Sequence, residues 1–239
     1  MNADLKHAAP RETARLVKIP AGSVSLDGAL SVPDDASGII LLAHGGSSSR
    51  LDPRHQFLAQ WLRRSGLGTL LCDLLTEQEE RADAGRGCLR FNIGLLTQRL
   101  VCEAHWLGGE DEARHQRLGF FGSSTGAGAA LVAAADLGKG IAAVVSGGGR
   151  PDLAGNALRR VKCPSLLIVG GLDDDVLELN QGALQLLACE KRLCIVQKAS
   201  PLFAEPGALE EVAQLAAGWF LEHLGHGLSS RLPLRGNDR

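Results

Sequence analysis

Runs of consecutive apolar residues alternate along the chain with segments in which apolar residues recur every three or four positions. The runs GIILLAH (38–44), LGTLLCD (67–73) and SLLIVG (165–170) are typical of strands buried on both faces of a parallel sheet. The segments 92–107 and 207–224 have the helical period, with their apolar residues on one face. Strand and helix alternate repeatedly, which predicts an α/β fold: a mostly parallel sheet with right-handed crossovers and helices on both faces.

The segments outside this alternation complete the predicted organisation. Residues 12–32 predict an antiparallel strand pair that precedes the parallel strands. Residues 74–90 are polar and predict a surface loop, whose role as a lid stays open. Residues 1–10 and 227–239 are expected to be flexible tails. We therefore expect residues 1–239 to form one domain with a three-layer arrangement.

The stretch FFGSSTGAGAALVAAA (120–135) carries the first candidate chemistry, because an apolar run passes directly into an alanine-rich helix. Ser124 lies at the junction, with Gly122 and Gly126 two residues to either side. Side chains at these two positions would collide with the strand and the helix, as in the strained turn that presents a serine nucleophile. The N–H of Thr125 is then expected to stabilise an oxyanion. The alternative is a tight turn in which the glycines serve packing alone.

Two further loops follow predicted strands and so belong to the same edge of the sheet. LLAHGGSSS (41–49) follows the first parallel strand, and we expect the N–H of Gly46 or Ser47 to be the second oxyanion donor. The alternative is a glycine turn that ends the strand.

IVGGLDDDV (168–176) is the second of these loops, and Asp173 is its best candidate to orient a histidine. Asp174 or Asp175 is expected to cap the next helix. All three acids could instead be capping and surface residues.

The chain resembles an α/β-hydrolase of the dienelactone-hydrolase-like branch. The similarity runs along nearly the whole chain, through stretches such as FFGSSTGAGAALVAAA, LLIVGGLDDDVLELN and LFAEPGALEEVAQLAAGWFLEHL. The resemblance implies the α/β-hydrolase fold and a Ser–Asp–His triad in that chain order, in which Ser124 and Asp173 match. It also implies a histidine just before Leu202-Phe203, where this chain reads QKASPLFAEPG and has Pro201. Loss of a triad histidine costs about 10⁶ in kcat in a serine protease.

The other histidines differ in how close the predicted topology brings them to Ser124. His44 ends a strand beside the expected oxyanion loop, and His55 lies near the start of the following helix. Either could act as a substitute base, although His44 could instead shape its loop and His55 could be a solvated helix residue. Histidines 105, 115, 223 and 226 are expected at the far edge of the sheet, and His7 lies in the N-terminal tail.

Composition narrows the possible partners. The net charge of −2 gives no reason to expect nucleic acid or a membrane as a partner. The six cysteines show no CxxC spacing, which favours a reduced, cytoplasmic protein. We expect a hydrolase of small esters or related acyl compounds, with no cofactor and no metal. Its activity is expected to be weak because the triad histidine is missing. The alternative is a non-catalytic protein of the same fold that binds a small ligand or partner in the pocket. A homo-oligomer is compatible with either function.

Overall fold

The computed structural model describes residues 14–45 and 49–225, and within them eight strands alternate with six α-helices. The strands are β1 (Arg15–Ala21), β2 (Val24–Ser31), β3 (Ile39–Ala43), β4 (Gly68–Cys72), β5 (Leu118–Ser124), β6 (Ile141–Gly149), β7 (Ser165–Gly170) and β8 (Lys191–Val196). The helices are α1 (Pro53–Arg64), α2 (Glu77–Asp83), α3 (Ile93–Leu107), α4 (Thr125–Leu137), α5 (Asp174–Leu186) and α6 (Ala208–Leu224).

All eight strands belong to one sheet, in the order β1-β2-β4-β3-β5-β6-β7-β8. β2 runs antiparallel to both of its neighbours, β1 and β4, and every other neighbouring pair is parallel. The predicted sheet with its antiparallel N-terminal pair is therefore confirmed. β3 and β5 are neighbours, and Ala43 pairs with Gly122 at their carboxyl ends. This register brings the loop after β3 beside the turn after β5.

Helices cover both faces of the sheet, as predicted. The larger apolar cluster includes the buried faces of α3, α4 and α5, and the other cluster includes those of α1 and α6. Asp52 caps α1 by accepting a hydrogen bond from the Arg54 N–H at 2.8 Å, and Pro53 follows as the first helical residue. This cap fixes where α1 begins, and His55 consequently lies in its first turn.

The segment 74–90 differs from the loop that its polarity predicts, because it contains α2. Thr76 and Glu79 form a capping box, in which each side chain accepts a hydrogen bond from the other residue's N–H. Asp83 is buried and accepts hydrogen bonds from the N–H groups of Leu89 and Arg90. These hydrogen bonds lie within the segment and stabilise its conformation.

All six cysteines have free thiols. The predicted tails, residues 1–10 and 227–239, lie outside the described residues. Within residues 14–45 and 49–225, no helix is both long enough and apolar enough to span a bilayer.

Candidate active site

Ser124 occupies a strained turn between β5 and α4. Its φ of 49° and ψ of −130° lie in a region that residues with a Cβ rarely adopt. The residue is exposed, whereas Thr125, which begins α4, is buried. The chain thus reverses direction at one residue and presents the Ser124 side chain outward above the start of a helix.

The glycines on either side of Ser124 are required by close backbone contacts. A Cβ on Gly122 would lie 2.5 Å from the Cα of Ala127, and one on Gly126 would lie 2.3 Å from the carbonyl oxygen of Ala43. Real Cβ atoms do not approach backbone atoms this closely. The turn therefore tolerates only glycine at both positions, since α4 starts directly against the ends of β5 and β3.

The loop after β3 reaches the same place. A Cβ on Gly45 would lie 2.6 Å from the backbone nitrogen of Thr125, so the two segments touch through their backbones. Gly46 and Ser47, which the sequence suggests as oxyanion donors, lie outside the described residues. The convergence of this loop on the serine turn is seen at Gly45, and the second donor stays a prediction.

A pocket of about 320 Å³ opens beside the turn. Its lining consists of Gly45, Arg54, His55, Leu58, Phe121, Ser123, Ser124, Gly147, Gly148, Pro201, Leu202, Phe203, Leu209 and Val212. Ser124 and Pro201 thus line one cavity. No residue of 74–90 belongs to this lining, so the segment is not a lid over the pocket in this conformation.

Asp173 lies at the carboxyl end of β7 but does not line the pocket. Its side chain accepts a hydrogen bond from the Val176 N–H at 3.2 Å and so caps α5. The expectation that Asp174 or Asp175 caps this helix is wrong, because both lie within its first turn. The Asp173 carboxylate thus accepts a backbone hydrogen bond, and among the described residues no hydrogen bond joins it to a histidine.

His44 is buried at the end of β3, and its Nε2 lies 3.3 Å from Asp73 Oδ1 without the geometry of a hydrogen bond. The Arg50 N–H donates to Asp73 Oδ1 at 2.6 Å, and the Arg50 guanidinium donates to Oδ2. Burial acts to raise the pKa of the Asp73 carboxyl, but the interactions with His44 and Arg50 hold it below its usual range. His44 thus lies against a carboxylate that is already fixed in place.

His55 lies in the first turn of α1, stacked on His44 with ring centroids 5.2 Å apart. Its Nε2 is 3.3 Å from Ser123 Oγ, and its Nδ1 is 3.4 Å from the carbonyl oxygen of Ser49. Burial, followed by the like charge of His44, lowers the pKa of His55 to about 4. Among the described residues, no histidine forms a hydrogen bond with Ser124. The topology thus brings His55 to the neighbouring serine, Ser123, which sequence reasoning did not single out.

A cluster that could hold a metal lies elsewhere. Ligand atoms of Glu190, Glu222 and His223 lie within 4.8 Å of one another. Glu222 and His223 share a groove with Arg117, which precedes β5, so this cluster lies at the opposite edge of the sheet from the pocket. Both glutamates are exposed, and the His223 Nε2 lies 3.7 Å from Glu190 Oε1, too far for a hydrogen bond.

Comparison with known proteins places the chain among hydrolases. No family model matches it. The crystal structure of dienelactone hydrolase from Anabaena variabilis is 51% identical to it, covers 88% of this chain and 98% of that chain, and superposes with a TM-score of 0.86. The chain belongs to the dienelactone hydrolase family.

A solved structure of low sequence identity shares the fold. Est1E from Butyrivibrio proteoclasticus is 12% identical, covers 87% of this chain and 98% of that chain, and has a TM-score of 0.74.

Two proteins from strains of Mycobacterium tuberculosis, each described as "Putative phosphoribosyl transferase", are 49% identical over 208 residues, which is 87% of this chain. This dienelactone hydrolase homologue spans about half, 46%, of the length of those two curated relatives.

Proposed function

We propose that the protein hydrolyses ester bonds of small acyl compounds, with Ser124 as the nucleophile. The observation that carries this proposal is the strained Ser124 turn, which exposes its side chain to a pocket at the start of a helix. A backbone conformation of this kind costs of order 1–3 kcal/mol and persists where the surrounding structure enforces it. The close packing at Gly122 and Gly126 is what enforces it here.

Several neighbouring groups would support acyl transfer at this position. The N–H of Thr125 is the first of α4 and has no partner within the helix, and the helix dipole adds positive potential there. An oxyanion formed by attack of Ser124 on a carbonyl carbon would be stabilised by this N–H, together with a donor from the loop after Gly45. The contact between Gly45 and Thr125 supports this pairing of donors.

The pocket favours a small substrate with an apolar part. Its volume of about 320 Å³ is at the lower end of the range for ligand pockets. Leu58, Phe121, Phe203 and Val212 give it apolar walls. Esters of short acyl chains or simple alcohols would fit, whereas a long lipid chain would not.

The rate of this reaction is expected to be low. The resemblance to dienelactone hydrolases implies a histidine where this chain has Pro201, and a proline ring cannot accept a proton from Ser124. The alternative function, a non-catalytic pocket that binds a small ligand, is favoured by this one substitution. Hydrolysis is favoured over ligand binding alone because the nucleophile turn and its glycines are intact.

The mycobacterial relatives raise phosphoribosyl transfer as a further possibility for the family. More than half of those proteins lies outside the match with this chain. A serine at a strained turn beside an apolar pocket is suited to acyl transfer, so our proposal assigns this chain the hydrolytic step alone.

Active-site labelling separates the two candidate functions. The protein is incubated with a fluorophosphonate probe, the modified peptide is mapped, and hydrolysis of p-nitrophenyl acetate is measured in parallel. We expect labelling at the turn and slow turnover, with Ser124→Ala lowering kcat/KM and Ser65→Ala, at the far end of α1, leaving it unchanged. If no pocket serine is labelled and no turnover depends on a serine, the hydrolase proposal fails and ligand binding is favoured.

A further inference from the structure

The pocket contains a second serine, and this one is paired with a histidine. Ser123 immediately precedes the nucleophile candidate, is half-buried and lines the same pocket. Its Oγ lies 3.3 Å from His55 Nε2, across 68 positions of sequence. The pair joins the first turn of α1 to the carboxyl end of β5.

The Ser49 contact favours one tautomer of His55. The carbonyl oxygen of Ser49, 3.4 Å from Nδ1, can only accept a hydrogen bond. In the tautomer with the proton on Nδ1, this nitrogen donates to the carbonyl and Nε2 is left as an acceptor. The Ser123 hydroxyl then donates to Nε2, which is the orientation a nucleophilic serine requires of its base.

The ring is also held in place from its side. His44 stacks on the His55 ring with an interplanar angle of 26°. His44 in turn lies against Asp73, whose carboxylate accepts hydrogen bonds from the backbone N–H and the guanidinium of Arg50. Ser123, His55 and the Ser49 carbonyl thus form a chain of serine, imidazole and acceptor. In it a backbone carbonyl takes the position that an aspartate has in the usual triad.

We propose that Ser123 and His55 provide a second route of ester hydrolysis in this pocket, in which Ser123 is acylated and His55 transfers the proton. This rests on the proposed function of the pocket, and it explains how a base can act there although the chain has Pro201 where the resemblance implies a histidine.

The reaction follows in two balanced steps. Ser123 Oγ attacks the ester carbonyl carbon and its proton passes to His55 Nε2, after which the bond to the alcohol oxygen breaks and His55 returns the proton to the leaving alkoxide. Water then attacks the acyl group and gives a proton to Nε2. The acyl–Oγ bond breaks, Ser123 recovers the proton, and the carboxylic acid leaves. The sum is ester and water to acid and alcohol.

The pH profile distinguishes this route from one that uses an ordinary histidine. A base that is neutral down to about pH 4 gives a kcat/KM that is flat between pH 6 and pH 8. A solvent-exposed histidine would instead give a rise near pH 6.5. The buried imidazole is a weaker base, so the route is expected to be slower than that of a complete triad.

The test uses the Ser124→Ala variant of the full chain, with p-nitrophenyl acetate and a fluorophosphonate probe. We expect residual turnover, a flat pH profile and probe adducts mapped to Ser123. Adding Ser123→Ala or His55→Gln should remove the adduct and lower the residual kcat/KM by about 100-fold. Ser65→Ala in the same background should change neither.

Two results would overturn the inference, and they are distinguishable. If the probe modifies Ser124 in the wild type but nothing in Ser124→Ala, and residual turnover matches that of the double variant, Ser123 is unreactive and the proposed function stands. If the wild type itself has neither serine adducts nor serine-dependent turnover, the proposed function fails together with the inference. The second result is obtained on the wild type and needs no variant to fold. For the first, circular-dichroism spectra of Ser124→Ala and of the double variants that match the wild type show that these proteins are folded.

Discussion

Replacing Glu103 with glutamine is expected to reduce the pH dependence of stability, because Glu103 is a fully buried acid on α3. Neither carboxyl oxygen has a hydrogen-bond partner among the described residues. Burial, with a further contribution from the charge of Asp73, raises its pKa from 4.5 to about 8 against the opposing effect of the Arg99 charge. The folded protein thus holds Glu103 as a neutral acid near pH 7.

The sign and size of the effect follow from proton linkage. Between pH 4.5 and about pH 8 the folded chain binds a proton at Glu103 that the unfolded chain has lost, so the free energy of unfolding falls as pH rises. The whole window corresponds to about 5 kcal/mol, and roughly 3 kcal/mol of it falls between pH 5.5 and pH 8.5. Glutamine is neutral throughout and has no such dependence.

Urea unfolding at these two pH values measures the effect. We expect the stability of Glu103→Gln relative to the wild type to increase by about 3 kcal/mol from pH 5.5 to pH 8.5. Other groups that titrate cancel in this difference, since both proteins contain them. Glu178→Gln, at an exposed site on α5, is the control and is measured at the same two pH values. A difference between Glu103→Gln and the wild type that does not change with pH would refute the assignment of a buried neutral acid.

Three further predictions concern the site. Pro201→His should raise kcat/KM for p-nitrophenyl acetate by at least about tenfold and introduce a rise near pH 6.5, if the new imidazole pairs with Asp173; an unchanged rate and a flat profile would argue against the position. Because the pKa of His55 is lowered from 6.5 to about 4, the free energy of unfolding decreases as pH falls through that window. His55→Gln should remove about 3 kcal/mol of this decrease, measured by urea unfolding. Equal pH dependence of stability in the wild type and the variant would contradict this prediction. Gly126→Ala should lower the free energy of unfolding by about 1–3 kcal/mol, because the added Cβ would contact backbone atoms. Gly182→Ala, whose Cβ would have no atom within 4 Å, should raise it by about 0.5–1 kcal/mol. Similar effects at both sites would show that the turn can relax.

The strands, most of the helices and the serine turn could be predicted from the sequence because each depends on neighbours in the chain. A strand buried on both faces needs a continuous apolar run, as in 38–44 and 165–170. The turn at Ser124 needs glycine at two fixed positions, since backbone contacts there leave no space for a Cβ. α2 could not be predicted from periodicity, because its seven residues, EQEERAD, have no apolar repeat and only the capping box of Thr76 and Glu79 marks its start.

Tertiary structure alone decided which polar groups meet. Glu103 lies three residues after Leu100 and four before Leu107, so helical periodicity places it on the apolar face, yet only packing against the sheet removes it from water. The approach of His55 to Ser123 depends on where α1 starts relative to the end of β5, a relation between segments 68 residues apart. Local sequence limits the conformation of each segment, whereas the distance between two side chains on different segments is set by the packing of the whole sheet and its helices.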